Sequence, residues 1–163
     1  MRISKLLLTT TLISIFSCIS LSAQAAEAIK VTSIAQTEIE VIGKNGNKTI
    51  KRSPVEKAVP GSEVIFTTTF ENTLGKAAND ITINNPIPAG TTYKSGSSFG
   101  KDCEIMFSVD GKFFGYAEDV KIKNKDGKER IALAKEYTHI RWNYKVPLAA
   151  GKSSKVGFRA IIK

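Results

Sequence analysis

The chain has 163 residues, 42% of them apolar and 24% charged, with 24 Lys and Arg against 15 Asp and Glu for a formal charge of +9. This mixture excludes wholesale disorder and suits a single domain. Two cysteines and one histidine exclude a disulfide-dense scaffold, a four-thiolate zinc site and any site that needs two imidazoles.

The first 25 residues read as an address. Met1–Lys5 is short and positive, and Leu6–Ser22 is uncharged and mostly apolar. Ala23-Gln24-Ala25 then places Ala23 and Ala25 at the two small positions that a signal peptidase reads. The apolar run of 17 residues is shorter than the ~20 a spanning helix needs. Cleavage is expected after Ala25, leaving 138 of the 163 residues, with 22 basic side chains against 15 acidic ones once Arg2 and Lys5 are gone. A second reading is lipidation at Cys18. Ser17 fits the lipoprotein box, but Phe16 is too bulky for it and the apolar run continues past the cysteine. No later segment is apolar enough to span a membrane. Export implies an oxidising compartment, periplasmic or extracellular. Cys103 is then the one remaining thiol, so no internal disulfide can form. It shares the apolar face of a strand with Ile105, Phe107 and Val109, which favours a sheltered thiol over a bridge between chains.

Period-two alternation dominates the rest. An early strand or pair is expected over Ile29–Ile42, before the turn Lys44-Asn45-Gly46-Asn47, and a short strand over Lys48–Val55. Glu63–Asn72 puts Val64, Phe66, Thr68 and Phe70 on one face. Asp80–Asn84 offers Ile81 and Ile83 to a core, and Glu104–Asp110 offers Ile105, Phe107 and Val109. Asp110-Gly111 reads as a hairpin turn into a strand over Lys112–Tyr116. Lys121–Arg130 reads as a solvated hairpin tip; its Lys121, Lys123, Lys125, Lys128 and Arg130 are the candidate contacts to an anionic surface. Ile131–Glu136 fits a helical turn. Tyr137–Val146 offers Ile140, Trp142, Tyr144 and Val146 to the core, and Ser153–Ile162 offers Val156, Phe158, Ala160 and Ile162. Turn signals about every ten residues predict an all-β chain, an antiparallel β-sandwich or barrel of about seven to nine strands. The expected division is a signal peptide over 1–25, an N-terminal strand or hairpin extension over 26–54 and the sandwich over 55–163.

Several residues have structural roles on physical grounds. Gly61 and Gly151 suit tight turns that need positive φ. Pro86 and Pro88 lack backbone donors and mark a strand end or edge. Asn72 can bond local backbone at a strand terminus, and Trp142 is the natural anchor between two sheets. These residues, with Gly90, Tyr93 and the run Val59–Ser98 that contains Pro86-Ile87-Pro88-Ala89-Gly90, carry a resemblance. The order of these motifs, through Phe107–Phe113, Tyr137–Trp142 and Leu148-Ala149-Ala150-Gly151 to the closing strand, resembles the bacterial domain-of-unknown-function family numbered eleven. The resemblance covers about Val55 to Lys163, in a single copy. It implies an immunoglobulin-like sandwich in exported or cell-surface proteins, with a structural or adhesive role and no established catalytic residues. Asn84-Asn85 stands where many members carry an acid, which weakens any cation site built on that acid.

No catalytic, cofactor or metal site is signalled. His139 alternates with Arg141 away from the apolar face and has no second histidine. There is no Gly-x-Ser-x-Gly elbow, no phosphate loop and no calcium loop. Specific nucleic-acid binding is not expected, because no aromatic residues interleave with the basic stretch. The expected function is an exported, non-enzymatic module with a structural or adhesive role at the cell envelope, touching protein or anionic envelope polymers. The alternative is a periplasmic chaperone or carrier that pairs an edge strand, Ile29–Ile42, with clients. A hydrolase is a third reading and would need a cleft of convergent polar groups.

Overall fold

The computed structural model describes residues 28–57 and 59–163. The leader, with Ala23, Ala25 and Cys18, lies outside the described residues. Eleven strands follow one another: β1 (Ile29–Ile42), β2 (Lys48–Pro54), β3 (Glu63–Asn72), β4 (Thr82–Pro86), β5 (Thr91–Tyr93), β6 (Phe99–Gly100), β7 (Cys103–Ser108), β8 (Lys121–Lys123), β9 (Glu129–Ile131), β10 (His139–Tyr144) and β11 (Ser153–Ile162). The fold is an antiparallel β-sandwich. A six-stranded sheet runs β2-β1-β3-β11-β5, with β6 also on β11; a three-stranded sheet runs β4-β10-β7; β8 and β9 form a separate hairpin. The chain passes between the two main sheets at β3 to β4, β4 to β5, β6 to β7 and β10 to β11, so neighbours in sequence face each other across the core.

Alternation explains the core. Along β3 and β11, Phe70, Val156, Phe158 and Ala160 are buried, and Ile140 and Trp142 meet them from β10. The Trp142 ring stacks on Phe158 at 6.3 Å, and Phe158 stacks on Phe66 at 5.1 Å. Trp142 is fully buried, as its anchoring role requires. β3 is covered on its other face as well. Ile65 and Thr67 are buried there, because β3 lies between two strands and long side chains such as Arg159 fold over it.

Two expectations change. Lys112–Tyr116 forms no strand; its backbone pairs with β7 only at the bridge between Phe107 and Gly115, and the Tyr116 hydroxyl bonds Glu104. The chain after Asp110 turns instead around side chains. Asp110 Oδ1 accepts from the Ser108 hydroxyl at 2.9 Å and from the backbone N–H groups of Lys112 and Phe113 at 2.8 and 3.0 Å. Those local bonds satisfy the donors that a ladder would have used. Val146 lies past the end of β10 and is exposed, because strand phase no longer governs it. Within the N-terminal stretch, β1 pairs with β3 from Ile29–Asn72 to Gln36–Ile65 and so joins the larger sheet.

Gly61, Gly90 and Gly151 take φ of 84°, 82° and 67°, where a Cβ would be strained. β4 ends at Pro86, opposite His139, and pairs only with β10, so its missing donor falls on an edge. Asn72 closes the end of β3 from full burial. Its Nδ2 donates to the carbonyls of Lys76 and Leu148 at 2.8 and 2.7 Å, and its Oδ1 accepts from Leu74 N–H at 2.9 Å.

Two surface carboxylates are held lowest and contribute to the acid response of the fold, beside Glu38, Glu63 and Asp110, which are lowered too. Arg130 binds Glu136 in a fork at 2.7 and 2.6 Å, and Leu133 N–H adds a third bond at 2.7 Å. Together they hold the Glu136 carboxyl down at about 2, against 4.5 unperturbed. Glu104 is held at about 2 by Lys145, Tyr116 and Asn143, in that order. A carboxyl whose folded value is depressed stabilises the fold above its unfolded value, and that contribution is lost as pH falls through the folded value. The melting temperature should therefore drop as pH is lowered from about 4.5 to about 2. Glu104→Gln and Glu136→Gln should each flatten that drop. Identical acid profiles for wild type and both variants would contradict this.

Candidate functional site

The sandwich is open along its β1/β4 side. β1 is a long strand with two different neighbours. β3 covers one side of it from Ile29 to Gln36, and β2 covers the other side from Gln36 to Ile42. Past Gln36, opposite Pro54, β2 ends; only Val55 N–H reaches back, donating to the Ala35 carbonyl at 3.4 Å. From Ile29 to Ala35, then, the side of β1 away from β3 has no strand among the described residues.

The direction of its backbone groups follows from two bonds. Thr73 N–H donates to the Ala28 carbonyl, so Ala28, Lys30, Thr32 and Ile34 point toward β3, because alternate residues of an antiparallel strand bond to opposite sides. The Ala35 carbonyl points the other way, toward Val55. The N–H and C=O groups of Ile29, Val31 and Ser33 accordingly point outward from the sheet. Residues Lys30 to Ala35 are all exposed, with Val31 at 50% and Ile34 at 49%.

On the inner side of this edge lies a cleft of about 500 Å³, between β1 of one sheet and β4 of the other. Ile29, Val31, Leu74, Ala78, Ile81 and Ile83 form an apolar part of its wall, with Lys76, Asn79, Asp80 and Thr82 also lining it, so the unpaired backbone sits beside a largely apolar slot. Two other edges are guarded. β2 presents Lys48, Lys51, Arg52 and Pro54, and β4 is five residues long with Pro86 at its end. The open half of β1, IKVTSIA, has one charge and neither Pro nor Gly.

The opposite side of the sandwich is filled differently. A second cavity of about 530 Å³ there has Tyr93, Phe107 and Tyr137 in its wall. The Tyr93 hydroxyl is bonded to Ser98 at 2.8 Å, and the Tyr137 hydroxyl donates to the Ala117 carbonyl at 3.3 Å. Burial pushes the Tyr137 phenol above its ordinary value.

The basic hairpin is partly neutralised. Arg130 is taken by Glu136, Lys121 lies 3.9 Å from Glu129 and Lys128 lies 3.9 Å from Asp126. Lys123 and Lys125 carry no ion pair among the described residues, which leaves two cations at the tip. Val120 and Ala132 bury the base of the hairpin, fixing where the tip points. His139 Nδ1 bonds to the Thr138 hydroxyl at 2.9 Å, and the ring covers Gly111. Arg141 lies over the Phe114 ring at 3.7 Å and donates to Asn84 Oδ1 at 2.8 Å. Both of these side chains are held by packing. Cys103 is half-buried, bonded weakly to the Lys101 carbonyl, and its thiol is pushed up by burial. Among the described residues no group of three His, Cys, Asp or Glu side chains is placed to hold a metal ion, and no helix is long and apolar enough to cross a membrane.

Comparison of the chain with protein-family models, with curated proteins and with solved structures gives no match.

Proposed function

We propose that the protein is an exported, non-enzymatic β-sandwich that works by contact at the cell envelope, and that its contact element is the open half of β1. The observation that carries this reading is the edge itself: three residues of outward backbone donors and acceptors beside an apolar cleft, on an edge that carries a single lysine and neither Pro nor Gly. An extended polypeptide laid along Ile29–Ala35 would complete those bonds and place alternate side chains in the cleft. The leader-like first 25 residues and the motif order that resembles the exported domain family support the compartment. The two free lysines at the β8–β9 tip, Lys123 and Lys125, would add a salt-sensitive contact to anionic envelope polymers. This reading joins the adhesive and the edge-strand expectations in one surface.

The test is Val31→Pro. Val31 N–H points away from β3, so proline removes an outward donor and leaves the β1–β3 ladder whole. Wild-type protein should start at Ala26 by intact mass and sediment with envelope membranes at high salt. Val31→Pro should melt near wild type and shift to the soluble fraction. Equal envelope association of both proteins would overturn the edge as the contact element.

A further inference from the structure

We propose that the cavity on the β5/β7 side of the sandwich binds a small uncharged ring compound that carries one hydrogen-bond acceptor, of which an aryl ketone is the simplest case. This site is separate from the β1 edge and stands or falls without it.

The first observation is the shape of the space. The cavity, of about 530 Å³, is lined from both sheets, by Tyr93 of β5 and by Ile105 and Phe107 of β7. That volume lies within the range of small-molecule sites. Three aromatic rings are clustered in its wall. Phe107 stacks on Tyr137 at 4.7 Å, and Tyr93 tilts toward these two rings at 5.5 and 6.1 Å. All three belong to the buried core, so their positions are set before a ligand arrives. Ala117, Ala132 and Ala134 also line the cavity, and their single methyl groups leave open the space that larger side chains would fill. Leu133, in the same wall, is 53% exposed. Its backbone is nevertheless pinned, because Leu133 N–H donates to Glu136, which Arg130 holds in a fork. A ligand in the cavity would cover this fixed apolar side chain.

The second observation is a spare hydroxyl proton. The Tyr93 and Ser98 hydroxyls lie 2.8 Å apart, and the Tyr93 oxygen also accepts from Ser98 N–H at 3.3 Å. The two hydroxyls carry two protons, and one proton makes the bond between them. Among the described residues neither hydroxyl has an acceptor for the other proton. Both side chains line the cavity, so the pair offers it one donor whichever way round the bond is made. The Tyr137 hydroxyl, by contrast, is committed to the Ala117 carbonyl.

The third observation is the neutrality of the wall. The described residues that line it include no Asp, Glu, Lys, Arg or His, and no Asn or Gln. An ionised ligand would lose its water there without gaining a counter-charge. A sugar would find no carboxylate or carboxamide to bridge its neighbouring hydroxyls. An apolar ring laid against the aromatic cluster, with a single acceptor on the Tyr93–Ser98 pair, uses everything the wall supplies.

The test titrates three probes into the purified chain, followed by ligand-observed NMR: 1-acetonaphthone, 1-naphthoate and methyl α-glucoside. The neutral ketone should bind saturably, and the carboxylate of the same ring system about tenfold more weakly or worse. The glucoside should not bind. Ala134→Leu fills the cavity and should abolish ketone binding while melting no lower than wild type. The spare proton makes a sharper demand. Tyr93→Phe and Ser98→Ala each leave one hydroxyl with its proton, whereas the double variant leaves none. The double variant should weaken the ketone about three- to tenfold, the worth of one neutral hydrogen bond, and each single variant less. Absence of saturable ketone binding, naphthoate or glucoside binding as tightly as the ketone, or ketone binding that survives Ala134→Leu would each overturn the site. A double variant no weaker than the singles would overturn the hydroxyl pair as its donor.

Discussion

Asn72→Ala is expected to destabilise the protein by about 2 to 4 kcal/mol, because it removes three side-chain hydrogen bonds worth ~0.5–1.5 kcal/mol each, one of them buried. Asn72 is fully buried at the end of β3. Its amide ties the Lys76 and Leu148 carbonyls together and holds Leu74 N–H, so one side chain joins the loop after β3 to the loop before β11. Against a total stability of about 5–15 kcal/mol, the variant should lose a large share of its margin. Asn72→Asp keeps the bond to Leu74 N–H but aims a carboxylate at two carbonyls, and should be no better. Urea unfolding checks this; a loss below about 1 kcal/mol for Asn72→Ala would contradict the clamp.

The second large effect is at Gly157. It lies mid-way along β11, between β3 and β6, opposite Thr67 and Phe99. A Cβ added there would come within 2.3 Å of the Phe66 carbonyl oxygen and 2.5 Å of Phe99 Cζ. Phe99 is 37% exposed and can swing away. The carbonyl belongs to a central strand and cannot. Gly157→Ala should cost about 3 kcal/mol through backbone displacement. Phe99→Ala alone should cost far less and should not rescue it. A double variant as stable as Phe99→Ala alone would show that the ring, and not the backbone, enforces glycine.

Both effects show which parts of the fold the sequence states. The clean alternation along Ser153–Ile162 and along Glu63–Asn72 is legible because both strands are long and central, so one face is buried end to end. The prolines and glycines of the turns are legible because φ is a local matter. The stretch after Asp110 is not. Asp110-Gly111 looks like a hairpin turn, yet whether the next residues pair depends on Ser108 and Asp110 capturing their N–H groups, a competition that a hydrophobic pattern does not record. Val146 continues the phase of β10 on paper and leaves it in space.

The candidate site was half legible. Ile29–Ile42 stood out as a strand that could offer an edge. What a strand pattern cannot state is that β2 covers only Gln36–Ile42 and leaves the first half bare, since that follows from the register of two pairings. Nor can it place β4 beside β1 to make the cleft. A compositional trace was present: Lys48, Lys51, Arg52 and Pro54 guard β2, while Ile29–Ala35 carries only Lys30. The basic run Lys121–Arg130 reads as a charge cluster, but three of its five cations are met by Glu129, Asp126 and Glu136.

The measurement that bears most directly on the open edge is amide hydrogen exchange across Ile29–Ala35 in the mature chain, at a concentration where it is monomeric, with and without solubilised envelope. In the free protein Lys30, Thr32 and Ile34 should be protected by β3, and Val31 and Ser33 should exchange freely. With envelope added, Val31 and Ser33 should become protected and the alternation should vanish. Val31 and Ser33 still exchanging freely under those conditions would contradict the account.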